Sequence, residues 1–145
     1  MSVYLTPLQP VADALYGVLL QDAALTALLS STGVVDDIPQ DPAYPFLWVE
    51  VQEPQQWGGF GTKPGIGVLP EIGIRLHVYS QFQGMAEAYG ILTRAITLLA
   101  DPPAVVGFSS WAIFHDTTIT LPDEALNGVK VKEVVGVLRL YVEEQ

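Results

Sequence analysis

The residues of this 145-residue chain whose types could do chemistry are two histidines, a few paired carboxylates and two glycine-rich stretches. His115 and Asp116 are adjacent, and together with His77 they would make a metal or acid–base site if the strands carrying them paired. Neither histidine has a carboxylate at helical spacing, and most metal sites take three or four ligands, so two ordinary strand histidines is the plainer reading. Asp36-Asp37 has the form of a solvated turn rather than a cation site. Gly59-Phe60-Gly61 and Gly65-Ile66-Gly67 superficially imitate nucleotide loops, yet no apolar strand runs directly into them and no helix opens after them. Neither Gly-x-Ser-x-Gly nor Gly-x-x-x-x-Gly-Lys-Ser/Thr occurs. Lys130 and Lys132 are too few for a nucleic-acid patch, and Arg75 and Arg139 suit ion pairs with the many carboxylates. The residues therefore point to no catalytic group, no metal ligand set and no cofactor, and the expectation is a protein that is not an enzyme.

The elements that would position such residues are organised around Glu71 to Ala100. Ile72, Ile74, Leu76 and Val78 alternate with Glu71, Gly73, Arg75, His77 and Tyr79, which gives a strand with one aliphatic and one polar or aromatic face. Ser80-Gln81-Phe82-Gln83-Gly84 breaks the pattern. From Met85 the period becomes helical, through Ala88, Tyr89, Leu92, Ile96 and Leu99, until Pro102-Pro103 stops it. Such a helix buries its stripe by lying back on the aliphatic face of the strand.

Upstream, Thr6-Pro7-Leu8-Gln9 has capping-box form, and Leu8, Val11, Ala12, Leu15, Val18 and Leu19 make a helical stripe. Pro10 conflicts mildly with a helix beginning before it. Asp22 is placed to cap a short helix carrying Leu25, Leu28 and Leu29, ended by Ser30-Ser31-Thr32-Gly33. Three prolines between residues 39 and 45 forbid regular structure there. A strand follows from Phe46 to Gln52, with Leu47, Val49 and Val51 opposite Phe46, Trp48, Glu50 and Gln52. Further strands are expected over Ala104–Thr120 and about Val129–Glu143, joined by a connection at 121–128 that ends in the Asn127-Gly128 turn signal. The resulting class is α+β, a mixed, mainly antiparallel sheet of about four strands with helices packed on one face, in one domain spanning 1–145.

Composition bounds the surface. Sixteen acidic residues face six basic ones for a net charge of −10, which argues against a DNA-gripping surface. Charged residues are only 15% of the chain, against roughly 25% in an average domain. Cysteine is absent, so disulfides and cysteine-ligated zinc are excluded. The first residues lack a signal-peptide pattern and no apolar run reaches membrane-spanning length, so a soluble protein without a membrane partner is expected. So few charges imply that part of the surface is buried against other copies or partners. The long segment Glu53–Pro70 supplies a candidate, with five glycines and three prolines around Trp57, Phe60, Ile66, Val68 and Leu69. Interface cores are enriched in aromatics. Those five residues, with Trp48, Arg75 and Tyr79 on the adjoining strands, are the expected oligomer or partner interface.

Several short motifs also recur, in this order, in one known family. They are Ala14-Leu15-Tyr16, Leu20-Gln21-Asp22-Ala23-Ala24-Leu25, Ala27-Leu28-Leu29, Asp37-Ile38-Pro39-Gln40 and Tyr44-Pro45-Phe46. His77-Val78-Tyr79-Ser80, Gly84-Met85-Ala86-Glu87-Ala88 and Val137-Leu138-Arg139-Leu140 follow. The pattern resembles the tail-completion, or tail-terminator, proteins of long-tailed phages and of the prophages and gene transfer agents built like them. The resemblance covers nearly the whole chain, and the 53–70 segment is longer and richer in glycine and proline than in a typical member.

The resemblance implies a structural virion protein assembled as a homo-hexameric ring. That ring would cap the head-proximal end of the tail tube, terminate tube polymerisation and join tail to head through the neck, or head-completion, proteins. Its partners would be further copies of itself, the tail tube protein and the neck protein. DNA would pass through the lumen without specific binding, and assembly would take place in the host cytoplasm. A neighbouring neck or tail-tube ring subunit is the alternative within the same class. A small ligand-binding or metal-dependent enzyme using His77, His115 and Asp116 is the alternative outside it.

Overall fold

The computed structural model describes residues 8–52, 55–57, 69–82, 84–126 and 129–144. It begins with α1 (Leu8–Leu20), whose Val11, Leu15 and Leu19 are buried at helical spacing. Pro10 falls in the first turn, where a helix has no internal partner for the missing N–H, so it is tolerated. α2 (Ala23–Leu28) is short and is capped by Asp22, whose carboxylate accepts a hydrogen bond from the Leu25 N–H at 2.8 Å. The chain then turns at Gly33 with φ +67°, a left-handed conformation that favours glycine.

Among the described residues, six strands form one sheet. β1 (Val34–Val35) pairs in parallel with β2 (Phe46–Val51), and β2 pairs antiparallel with β4 (Leu69–Ser80). β4 pairs with β6 (Val129–Glu144), which pairs with β5 (Phe108–Leu126), both antiparallel. β3 (Gln55–Trp57) lies off the main order and pairs with the start of β4. The sheet is therefore mixed and mainly antiparallel as expected, but it has six strands rather than about four. β1 and β3 are too short for an alternation to reveal, and their backbones are recruited by stronger neighbours. β5 also runs on to Leu126, so the expected connection at 121–126 is strand; bulges between His115 and Thr117 and between Leu121 and Glu124 blur its alternation. The Asn127-Gly128 turn lies outside the described residues.

The alternating patterns of β2 and β4 hold, and β6 alternates in the same way. Leu47 and Val49, Ile72, Ile74, Leu76 and Val78, and Val134, Leu138 and Leu140 are buried on one face of the sheet. α1, α2 and α3 (Ala86–Leu98) add their own buried residues to this core. Each fully buried leucine or isoleucine there contributes on the order of 2 kcal/mol through area removed from water. α3 comes closest over Gly136, where an added Cβ would stand 2.8 Å from Leu92 Cδ1. Its buried stripe is Ala88, Ile91, Leu92 and Ala95, continued by Leu99, whereas Tyr89, expected in the stripe, is exposed. Tyr89 instead reaches over to β5, where its hydroxyl lies 2.9 Å from Thr120 Oγ1. At the corner between β4 and α3, Ser80 donates to Glu87 at 2.7 Å and accepts from the Phe82 N–H at 3.0 Å.

Candidate functional site

The opposite face of the sheet carries the polar and aromatic residues of the alternation. Trp48 of β2 stands in register with His77 of β4, and Phe46 with Tyr79. The rings stack, Trp48 on His77 at 4.2 Å and Phe46 on Tyr79 at 4.9 Å between centroids. The turn-rich segment after β1 folds over them, so that Ile38 and Tyr44 pack on Phe46, Tyr79 and Val131. Trp48 fixes that segment by donating its indole N–H to the Asp36 carbonyl at 3.0 Å. Three of the eight expected interface residues thus fall on this face. Tyr79 is buried in it, Trp48 is half-buried and Arg75 is exposed.

His77 is the most chemically suggestive residue here. Its Nδ1 lies 2.7 Å from Glu133 of β6, itself buried, and its Nε2 faces Glu50 at 3.8 Å, beyond hydrogen-bond length. The strand alternation places Glu50, His77 and Glu133 on one face, but only the pairing of three strands brings them together. The suggested histidine pair does not form. β6 separates His77 from His115, and the His115 ring turns to the helix side, where Nε2 meets Thr118 Oγ1 at 2.8 Å. Asp116 bonds Arg139 at 3.1 Å instead, and Glu71 lies 3.4 Å from the same guanidinium. These two carboxylates hold the Arg139 guanidinium above its usual range. No group of three or more metal-ligating side chains occurs among the described residues. The cluster is a buried polar tie across β2, β4 and β6.

Burial and the nearby Asp36 carboxylate push the Tyr16 phenol up. Arg94 of α3 grips Asp22 by donating from Nε and Nη2, at 2.9 and 2.6 Å. That hydrogen-bonded guanidinium holds the Asp22 carboxyl below its ordinary value. Both features are structural.

Of the 53–70 segment, residues 55–57 and 69–70 are described. Gln55 stands opposite Glu71 and Trp57 opposite Leu69, so its base is a two-stranded ladder. Phe60, Ile66 and Val68 lie outside the described residues. Sequence reasoning passed over one feature altogether, an open depression of about 310 Å³ between α3 and β5, lined by Tyr89, Leu92, Ile96, Thr97, His115 and Thr118. No periodicity announces it, because it depends on Tyr89 leaving the buried stripe.

Geometry alone therefore gives a layered α+β subunit whose unusual polar residues are spent on its own fold. A family model described as tail completion protein gp17 matches residues 13–132. The chain belongs to the tail completion protein gp17 family. Several of the motifs that resemble the family fall on the caps, corners and strand ends just described. His77 to Ser80 form the stacked end of β4, Gly84 to Ala88 open α3, and Asp22 ties α2 to Arg94. No curated protein matches the sequence significantly. Among solved structures, a chain of the "Virion of native gene transfer agent (GTA) particle" superposes with a TM-score of 0.68 at 17% identity, covering 90% of this chain and 92% of that one. At that identity the likeness speaks for the fold. Membership of this family makes the protein a tail structural component of a phage-like particle.

Proposed function

We propose that this chain forms a ring that caps the head-proximal end of a tail tube, stops tube polymerisation and joins the tail to the head through the neck proteins. The family match over residues 13–132 is the observation that carries this reading. Three physical features accord with it. The polar residues with chemical potential are tied into the fold, so function lies in surfaces rather than in a catalytic centre. Charge is sparse, as flanks that bury against neighbouring copies require. The net charge of −10 per copy would give any lumen an acidic wall, and such a wall repels DNA phosphates so that the genome slides without specific binding.

On this reading the arm, with Trp57, Phe60, Ile66, Val68 and Leu69, reaches the next copy or the tube, and exposed Arg75 on the adjoining face joins the contact. Half-buried Trp48 and buried Tyr79 support that face from within. Adding the protein to polymerising tail tube protein is expected to shorten the tubes and leave a cap at one end in electron micrographs. Shortening the arm across residues 57–67 is expected to weaken both effects. Tubes of unchanged length with no terminal density would sink the terminator role, and undiminished capping by the shortened variant would remove the arm from it.

A further inference from the structure

Glu50 has two cationic neighbours to choose between. Arg75 stands directly opposite it in the β2–β4 register, and opposite charges so placed normally attract. In this structure they do not meet. The Glu50 carboxylate leans to His77 Nε2 at 3.8 Å, and among the described residues exposed Arg75 makes no ion pair or hydrogen bond. In a chain with sixteen acidic residues and six basic ones, an arginine left so calls for a reason. Other carboxylates of the same sheet face are engaged, Glu133 with His77 Nδ1 and Glu71 and Asp116 with Arg139. The Glu50 side chain is 31% exposed, so it can swing between its neighbours without disturbing the core.

The imidazole sets the direction of that swing. A carboxylate only accepts, so the 2.7 Å contact with Glu133 makes Nδ1 the donor. Nε2 is buried and makes no hydrogen bond. In the neutral ring Nε2 carries a lone pair, which repels a carboxylate oxygen facing it. In the charged ring it carries a proton that Glu50 can accept. The groups that bear on this ring come from every element around it. β2 supplies Glu50 and the stacked Trp48, β6 supplies Glu133, and β4 itself supplies Tyr79, with its ring 6.4 Å away, and Arg75 on the same face. From the segment after β1, Asp36 meets Trp48 through its carbonyl, and Tyr44 packs on Phe46. β5 brings Ile119 to the level of His77, in register with Val135, and adds no charge there.

We propose that His77, Glu50 and Arg75 form a proton-operated switch on the sheet face turned away from the helices. The charged imidazole draws Glu50 to itself and leaves Arg75 open to a carboxylate of a partner, which suits the forked guanidinium. The neutral imidazole releases Glu50, which closes Arg75. The switch stands on this geometry alone; its consequence for assembly rests on the reading that puts Arg75 in a subunit contact.

The test follows the full chain at low concentration by nuclear magnetic resonance, with isotope labels in glutamate, histidine and arginine. The pH is taken through the range in which histidine changes charge, about 5 to 8. The Glu50 carboxyl and Arg75 Nε signals are expected to shift with the midpoint of the His77 ring and not with that of His115. Glu50→Gln cannot neutralise Arg75, so it is expected to abolish the Arg75 shift while His77 still titrates. If that variant does not fold, the midpoints of the parent decide by themselves. Arg75 signals that ignore His77, or a His77 ring that keeps one state throughout, would overturn the switch. In assembly, raising the pH through the same midpoint is expected to raise the concentration the parent needs by roughly twofold to fivefold, the scale of one exposed ion pair, and to leave Glu50→Gln unchanged. Rings whose threshold ignores pH would overturn the coupling to assembly and leave the ring reading standing. A chain that stays monomeric in every condition would overturn the ring reading, while the resonance shifts still decide the switch.

Discussion

The imidazole of His77 sits 2.7 Å from a Glu133 oxygen and stacks on Trp48, and both His77 and Glu133 are almost wholly out of water. A buried carboxylate that loses a partner keeps its desolvation cost and forfeits the compensation. His77→Ala is therefore expected to lower stability by about 2–4 kcal/mol in urea titrations. His115 is exposed and bonded to Thr118, so His115→Ala is expected to change stability by less than about 0.5 kcal/mol. Equal and small effects would contradict the buried-tie role. Alternation alone puts Glu50 on the polar face of β2 and His77 on the polar face of β4, without showing that the two faces meet. Glu133 is 56 residues from His77, and only the β4–β6 register discloses it as the partner.

At the scale of elements, two contacts set the position of α3. Gly136 lets the helix approach β6, and a larger side chain there would press on Leu92 and Ile96. Gly136→Val is expected to cost about 1–3 kcal/mol, measured by the same titration, unless α3 lifts freely off the sheet. Asp22 caps α2 and binds Arg94, so the helices are tied through one carboxylate. The folded state holds this group below its ordinary value, so its contribution is fully present above the unfolded value of about 4 and is lost as pH falls through the lower folded one. Asp22→Asn is thus expected to melt several degrees lower at pH 7 and to converge with the parent as the pH falls through the lowered folded value. A constant gap across that range would show that the charge is not what matters.

The long elements were legible because the chain writes their period plainly. Alternation locates β2 and β4 and the correct buried face of each, and the Asp22 cap is readable from spacing. β1 and β3 were not, since two or three residues carry no period and their pairing is decided by the neighbours they meet. The length of β5 was hidden by its bulges, and the exposure of Tyr89 by a contact with a strand some thirty residues away.

For the whole molecule, the governing fact is an acidic chain with too few charges to cover its surface, folded around a core that uses its polar residues internally. Its family places it in tail completion, and on the proposed ring reading such a chain loses surface to other copies. The direct measurement is native mass by light scattering over a concentration series, repeated with tail tube protein present. A ring of about six subunits is expected, alone or on the tube. A strict monomer under both conditions would contradict it.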